Sequence, residues 1–411
     1  MREVGREVVK DPMFVAENTR PYRLAILASH PIQYHVPLYR ALAKRSEIDL
    51  TVLFCSNFGL KAYHDRNFGQ DVKWDIPLLD GYHNEFLPNV SPRPNPSRFW
   101  GLINPVIVQR LRKENFDAVW LHGWALASNC MAWVTAASRH LPIFIRGETN
   151  GMTEPVGLKR IAKRILLKKF FKHVTGFLAI GTNNANFYRS YNVSEKRIFM
   201  TPYSIDNAFF IGRSQELEGQ KRILKEKEGI PPDLPVILFC GKLYDVKRPM
   251  DILQAFALLD RSLRASLVFV GDGPLRAEME RFVVQRRVAN VHFLGFRNQQ
   301  ELPRCYALAD LLVLSSASET WGIVLNEAMC SKLPLIVSDR VGAAADLVRN
   351  GVNGFVYPMG NIEALADCIT RVITNDVVRD EMGQRSLEII KRWGPEESVK
   401  GVLSCLSAVV N

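Results

Sequence analysis

Short apolar runs that do not alternate with polar residues recur along the chain, each closing on a glycine or polar turn and leading into a stretch of helical spacing. YRLAILAS (22–29), DLTVLFCS (49–56), FDAVWLHG (116–123), LPIFIRG (141–147), VTGFLAIG (174–181) and RIFMTPY (197–203) form one series. VILFCGK (236–242), ASLVFVGDGP (265–274), NVHFLGF (290–296), LADLLVLSS (308–316) and LPLIVSD (333–339) form a second. A strand with one wet face alternates, whereas one covered on both faces does not, so the pattern predicts parallel sheets flanked by helices. The fold class is α/β, with two doubly wound domains. Between the series, SQELEGQKRILKEKEGIPPDLP (214–235) is charged and then proline-rich, which reads as a connector. The expected division is an N-terminal extension at 1–20, a first domain at 21–213, a linker at 214–235 and a second domain at 236–385. A helical segment at 386–411, broken at Gly394 and Pro395, is expected to cross back to the first domain. Ligands of such sheets lie at the carboxyl ends of the strands, which puts the crevice between the domains.

With 411 residues, 47% hydrophobic and 23% charged, the chain suits two soluble cores. It holds no apolar run long enough to span a membrane and no signal-like segment at its start, so a cytoplasmic location is expected. Seven scattered cysteines without a Cys-x-x-Cys pair favour buried thiols over disulfides or structural zinc. A net charge of +11 favours anionic partners without choosing among nucleotide phosphates, nucleic acid and a membrane surface.

The segment SSASETWGIVLNEAMCSKLPLIVSD (315–339) carries the most chemistry. The chain turns through ASETW between a strand and a helix. The amides of Gly322, Ile323 and Val324 then stand at a helix start, where unpaired N–H groups and the dipole favour a phosphate. Glu327 lies roughly 7 Å further along the axis at about 1.5 Å per residue. Its carboxylate is a two-pronged acceptor suited to a ribose diol. Glu319, before the helix, reaches the other side of the phosphates. The bland alternative is one solvated helix residue and one loop charge.

SETWGIVLNEAMCSKLPLIVSDRVGAAADLV resembles the Glu-(seven residues)-Glu signature of retaining glycosyltransferases of family 4, which have the GT-B fold of two Rossmann-like domains facing across a cleft. CGKLYDVKRP (240–249) is similar to that family's diphosphate-holding turn, with Lys242 on an arginine position and Lys247 on the lysine, beside Gly241. Lysine at 242 offers a point charge where the family has a fork. The resemblance implies donor contacts at Glu319, Glu327, Lys242 and Lys247, and base contacts at Phe296 and Arg297. It also implies a histidine beside the donor sugar, His122 of FDAVWLHG. Arg146, in IRGETNG, stands where relatives have a histidine, and the first turn, ASHPIQYH (28–35), offers His30 and Gln33 on the acceptor side. The implied activity is retaining transfer from a UDP- or GDP-sugar to a glycan or lipid-linked acceptor in envelope or extracellular polysaccharide synthesis, without a metal or other cofactor.

GLKRIAKRILLKKFFKH (157–173) has seven Lys/Arg and no acid among large apolar residues, which suits an anionic membrane at the inner face. At 100° per residue, however, Lys169 and Lys172 fall among the apolar positions. Nucleic acid is not an expected partner. The alternative functions are an inverting transferase or sugar-nucleotide epimerase of the same fold, a dehydrogenase and a non-catalytic membrane binder. The dehydrogenase reading is weak because GDGP (271–274) lacks the third glycine of the dinucleotide fingerprint, with Arg276 in its place.

Overall fold

The computed structural model describes residues 20–65, 68–152, 157–260 and 262–410. The extension expected at 1–20 therefore lies outside the described residues except for Arg20. Two parallel sheets dominate. The first has the spatial order Asn84–Phe86, Ile48–Phe54, Tyr22–Ala28, Ala118–His122, Ile143–Arg146, Gly176–Ala179, Ile198–Met200. In the second the order is Val291–Gly295, Ser266–Val270, Val236–Cys240, Leu311–Leu314, Leu335–Ser338, Gly354–Tyr357. The central strands are buried along their length except at Arg23, as runs without alternation require. In both sheets the strand order reverses beside the first strand of the unit, and there the carboxyl ends open a crevice.

The segment 214–235 is not a connector. Helices Asn207–Glu216 and Lys221–Lys227 occupy it, and Leu217, Leu224 and Ile230 enter the core of the second domain. The charges that suggested a linker cover the outer faces of these helices, while the sparse apolar residues supply the inner ones. The second domain also runs later than expected. Helix Asp376–Ile390 packs in it through Met382 and Ile390, so the crossing falls at 391–394 rather than at 386. Helix Pro395–Val409 then packs on the first domain, with Val399, Val402, Cys405 and Leu406 in one core with Leu24, Ile26 and Trp120. Gly176 permits this docking, because a β-carbon there would lie 2.2 Å from Cys405 Sγ.

An antiparallel hairpin, Tyr63–Asp65 paired with Gln70–Val72, extends from the first domain over the second. Beyond it, Asn298 donates to the Lys73 carbonyl at 2.6 Å, and the Gln300 amide donates to Asp75 at 3.1 Å.

Candidate active site

The turn between strand Leu311–Leu314 and helix Val324–Cys330 is built as its sequence suggests. Gly322 adopts φ +99°, and a β-carbon would meet Val341 at 3.0 Å and Leu314 at 3.2 Å. That geometry excludes larger residues where the chain folds back. The Leu325 amide bonds the Gly322 carbonyl at 3.0 Å, so the amides of Gly322, Ile323 and Val324 precede the first bond of the helix. Ser315 anchors the neighbouring turn by donating to the carbonyls of Lys247 and Arg248 at 2.9 and 2.7 Å. Lys247, on the short turn Asp245–Lys247, makes an ion pair with Glu319. These two candidates come together from different strand ends.

Lys242 is placed differently from expectation. Its ammonium pairs with Asp65 of the hairpin at 2.8 Å and sits 4.7 Å from the centre of the Phe68 ring. It therefore ties the two domains together across the cleft. Phe68 also meets Phe296 edge to face, with centroids 4.8 Å apart, so the expected base-contacting ring is covered by a residue of the first domain. Arg297 is engaged within its own domain. It pairs with Glu228 at 2.8 Å and Glu301 at 3.8 Å, bracing the second domain, because two carboxylates on neighbouring segments outcompete an open cleft for its guanidinium. Gly241 follows the strand end and donates to the Val270 carbonyl at 2.9 Å.

Glu327 is fully buried. Tyr306 donates to its Oε2 at 2.5 Å and Gln299 to its Oε1 at 3.4 Å. Desolvation pushes the carboxyl up to about 7, against the hydrogen bonds of Tyr306, Gln299 and Tyr34 that hold it back. Tyr34 belongs to the first domain, so the expected ribose acceptor is covered from across the cleft.

In the first domain, the His122 ring stacks on His35 at 4.5 Å and on Trp120 at 5.1 Å, and its Nε2 lies 2.9 Å from Tyr39 Oη. Burial, then the neighbouring His35 and Arg146, pull its pKa well below the usual imidazole value, so it is neutral. His30 bonds Ser29 Oγ through Nδ1 at 2.9 Å and meets Phe58 edge on, and burial lowers it to about 4. Gln33, nearly buried, lines the domain boundary beside Ile205 and Gln299. Arg146 is buried over the rings of Trp120 and Tyr203. Asn150, from the loop after it, donates to the carbonyls of Glu319 and Thr320 at 3.0 and 3.2 Å, tying this end of the first sheet to the acidic turn of the second.

Sequence reasoning missed Tyr34, Tyr306 and Gln299 around Glu327, and Asp65 and Phe68 against Lys242. It also missed His35 and Glu148 beside Arg146, although Glu148 stands within IRGETNG.

Comparison with known proteins bears on the second domain first. Residues 220–388 match the family model described as "Glycosyl transferases group 1". An N-acetyl-alpha-D-glucosaminyl L-malate synthase of Bacillus anthracis is 31% identical over 173 residues, covering 41% of this chain and 43% of the relative. The chain thus spans less than half the length of that curated relative. An uncharacterized glycosyltransferase of Methanocaldococcus jannaschii is 29% identical over 343 residues, covering 81% of this chain and 89% of the relative. Among solved structures, HepE of Anabaena in complex with UDP superposes with a TM-score of 0.71 at 16% identity, covering 94% of this chain and 99% of that one. The chain has the GT-B fold of two Rossmann-like domains facing across a cleft, and its second domain matches the group 1 glycosyl transferases.

Proposed function

We propose that the chain is a retaining glycosyltransferase that moves a sugar from a nucleotide-diphosphate donor to an acceptor hydroxyl. The carrying observation is the 319–327 turn, where Lys247 meets Glu319 on one side of the Gly322 bend and Glu327 lies buried on the other. In this reading the diphosphate lies against the amides of Gly322, Ile323 and Val324 and takes Lys247 as its cation. Lys242 joins when the hairpin carboxylate gives way. Positive charge at that point stabilises the leaving diphosphate in the transition state, so a metal is not required for the role. Glu327 accepts the ribose hydroxyls and Glu319 those of the donor sugar. Neutral His122 offers a hydrogen bond from the facing domain. Solved complexes of HepE, which has the same fold, with UDP and with UDP-glucose support a uridine nucleotide as donor. Retention by same-face displacement needs no enzymic nucleophile; the leaving phosphate oxygen accepts the proton of the attacking hydroxyl. The test is calorimetry with a panel of UDP- and GDP-sugars, followed by NMR of the product anomer. At least one donor is expected to bind and to yield the anomer of its own configuration; an inverted product removes the retaining mechanism, and binding of none removes the donor site.

A lipid-linked acceptor in envelope glycan synthesis is the second part of the reading, favoured by helix Leu158–Lys172. Leu167 and Phe171 face inward, while Ile161, Ile165 and Leu166 expose 57%, 55% and 68% of their surface beside the exposed Lys169 and Lys172. Apolar side chains interleaved with cations suit the headgroup region of an anionic bilayer. Among the described residues no helix is long and apolar enough to cross a membrane. Replacing Ile165 and Leu166 together by aspartate is expected to lower partitioning onto phosphatidylglycerol vesicles by roughly tenfold or more, since each buried side chain is worth 1.5–3 kcal/mol. Equal sedimentation of parent and variant would remove the membrane face.

A further inference from the structure

The carboxyl ends of the first sheet enclose a cavity of about 180 Å³ lined by Ser29, His35, His122, Arg146, Gly147 and Glu148. Arg146 is only 4% exposed. Among the described residues its guanidinium makes no hydrogen bond and no ion pair, and its near neighbours are the faces of Trp120 and Tyr203 at 5.9 and 5.2 Å. Glu148 acts on it only at longer range. A purely structural buried arginine is ordinarily bonded to protein acceptors, whereas the Arg146 guanidinium lines the cavity. A second lining group is in the same condition: His35, 5% exposed, has Nδ1 buried without a partner. Its Nε2 lies 3.6 Å from Glu148 Oε1.

We propose that this cavity is a carboxylate-recognising subsite in which Arg146 grips a carboxylate of the sugar or hydroxy acid that takes part in transfer. The proposal rests on the glycosyltransferase reading above and specifies one of its substrates. An arginine fork matches the two oxygens of a carboxylate and holds its charge at any working pH. Burial keeps His35 and His122 neutral, so Arg146 and Glu148 leave the cavity with no net charge. A carboxylate on the Arg146 fork would bring that total to one negative charge and a phosphate dianion to two beside Glu148, so the monoanion is the better guest. Glu148 already takes bonds from His35 and Tyr203, and its remaining lone pairs are left to accept neighbouring hydroxyls, while His35 Nδ1 gains a partner. Asn150, two residues beyond Glu148, donates to the Glu319 carbonyl, so the loop that lines the cavity reaches the acidic turn of the second domain.

The test uses the full chain and two matched pairs, UDP-glucuronic acid against UDP-glucose and D-glucuronate against D-glucose, with UDP alone as control. Calorimetry is expected to show a preference for the carboxylate of about tenfold or more in one pair, as hydrogen bonds to charged groups commonly supply. The donor pair responding assigns the carboxylate to the transferred sugar; the second pair responding assigns it to the acceptor. Arg146→Met is expected to abolish the preference while leaving UDP affinity unchanged, and Arg146→Lys to restore part of it. No preference in either pair, or one that persists in Arg146→Met, overturns the subsite. UDP binding retained in that case leaves the donor site standing, whereas loss of UDP binding by the parent chain strikes the glycosyltransferase reading instead.

Discussion

Replacing Lys247 with methionine is expected to lower kcat/KM for sugar transfer by about 10²- to 10³-fold, the usual cost of removing one preorganised donor from a developing oxyanion. Bond breaking between the sugar and the β-phosphate leaves a full charge on an oxygen that was shared in the ground state. An ammonium held at that oxygen gains attraction as the bond lengthens, so the loss falls more on kcat than on KM. Lys247 is held for this: its carbonyl accepts from Ser315 at 2.9 Å, its own amide donates to Tyr244 at 2.9 Å, and Glu319 pairs with its side chain. Methionine also strips Glu319, 15% exposed, of its counter-charge, and an unpaired carboxylate then faces the incoming diphosphate. Lys242→Met is expected to cost less, because removing that ammonium also releases Asp65 and with it the hairpin that closes the cleft. Steady-state kinetics of both variants check this. A Lys247→Met enzyme that changes only KM would mean that the ammonium holds the donor without assisting departure of the diphosphate.

The fold and the local geometry of the 315–330 turn could be read in the sequence for the same reason. Strand, turn and helix are local, and each candidate on the 315–330 segment follows from residues within a few positions. The glycine required at 322 is one such case, with a φ that a β-carbon would strain. What was not legible depends on contacts between distant segments. Lys242 meets a carboxylate 177 positions away, and Asn150 meets the Glu319 carbonyl 169 positions away. Nothing near Lys242 announces Asp65. Arg297 shows the same limit from the other side: the resemblance implied a base contact, while Glu228, 69 residues earlier, pairs with its guanidinium. At 214–235, composition spoke for a linker because charged residues outnumber the three apolar ones that dock. Periodicity was the better guide there, since an amphipathic helix needs only one buried stripe.

Glu327→Gln should separate the stability of the chain from its affinity for donor, with opposite signs. The carboxyl titrates near 7 in the folded chain against an ordinary value of 4.5. Between those values the folded form carries the extra proton. The stability this group contributes is therefore full below about 4.5 and is lost as pH rises through 7, by an amount on the order of 3 kcal/mol. The glutamine variant stays neutral throughout, so its thermal midpoint should decline less than that of the parent between pH 5 and pH 9. Donor binding runs the other way. The ionised carboxylate is the form that accepts two ribose hydroxyls, and opening the cleft withdraws Tyr34 from it. Nucleotide affinity of the parent should then rise from pH 6 to pH 8 and level off. In the variant it should be weaker by roughly ten- to a hundredfold, as expected for lost hydrogen bonds to a charged acceptor, and insensitive to pH over that interval. UDP calorimetry across this range, set beside melting curves in the same buffers, reads both trends. A variant that binds UDP as tightly as its parent would leave Glu327 as a buried structural acid and move the ribose elsewhere in the cleft.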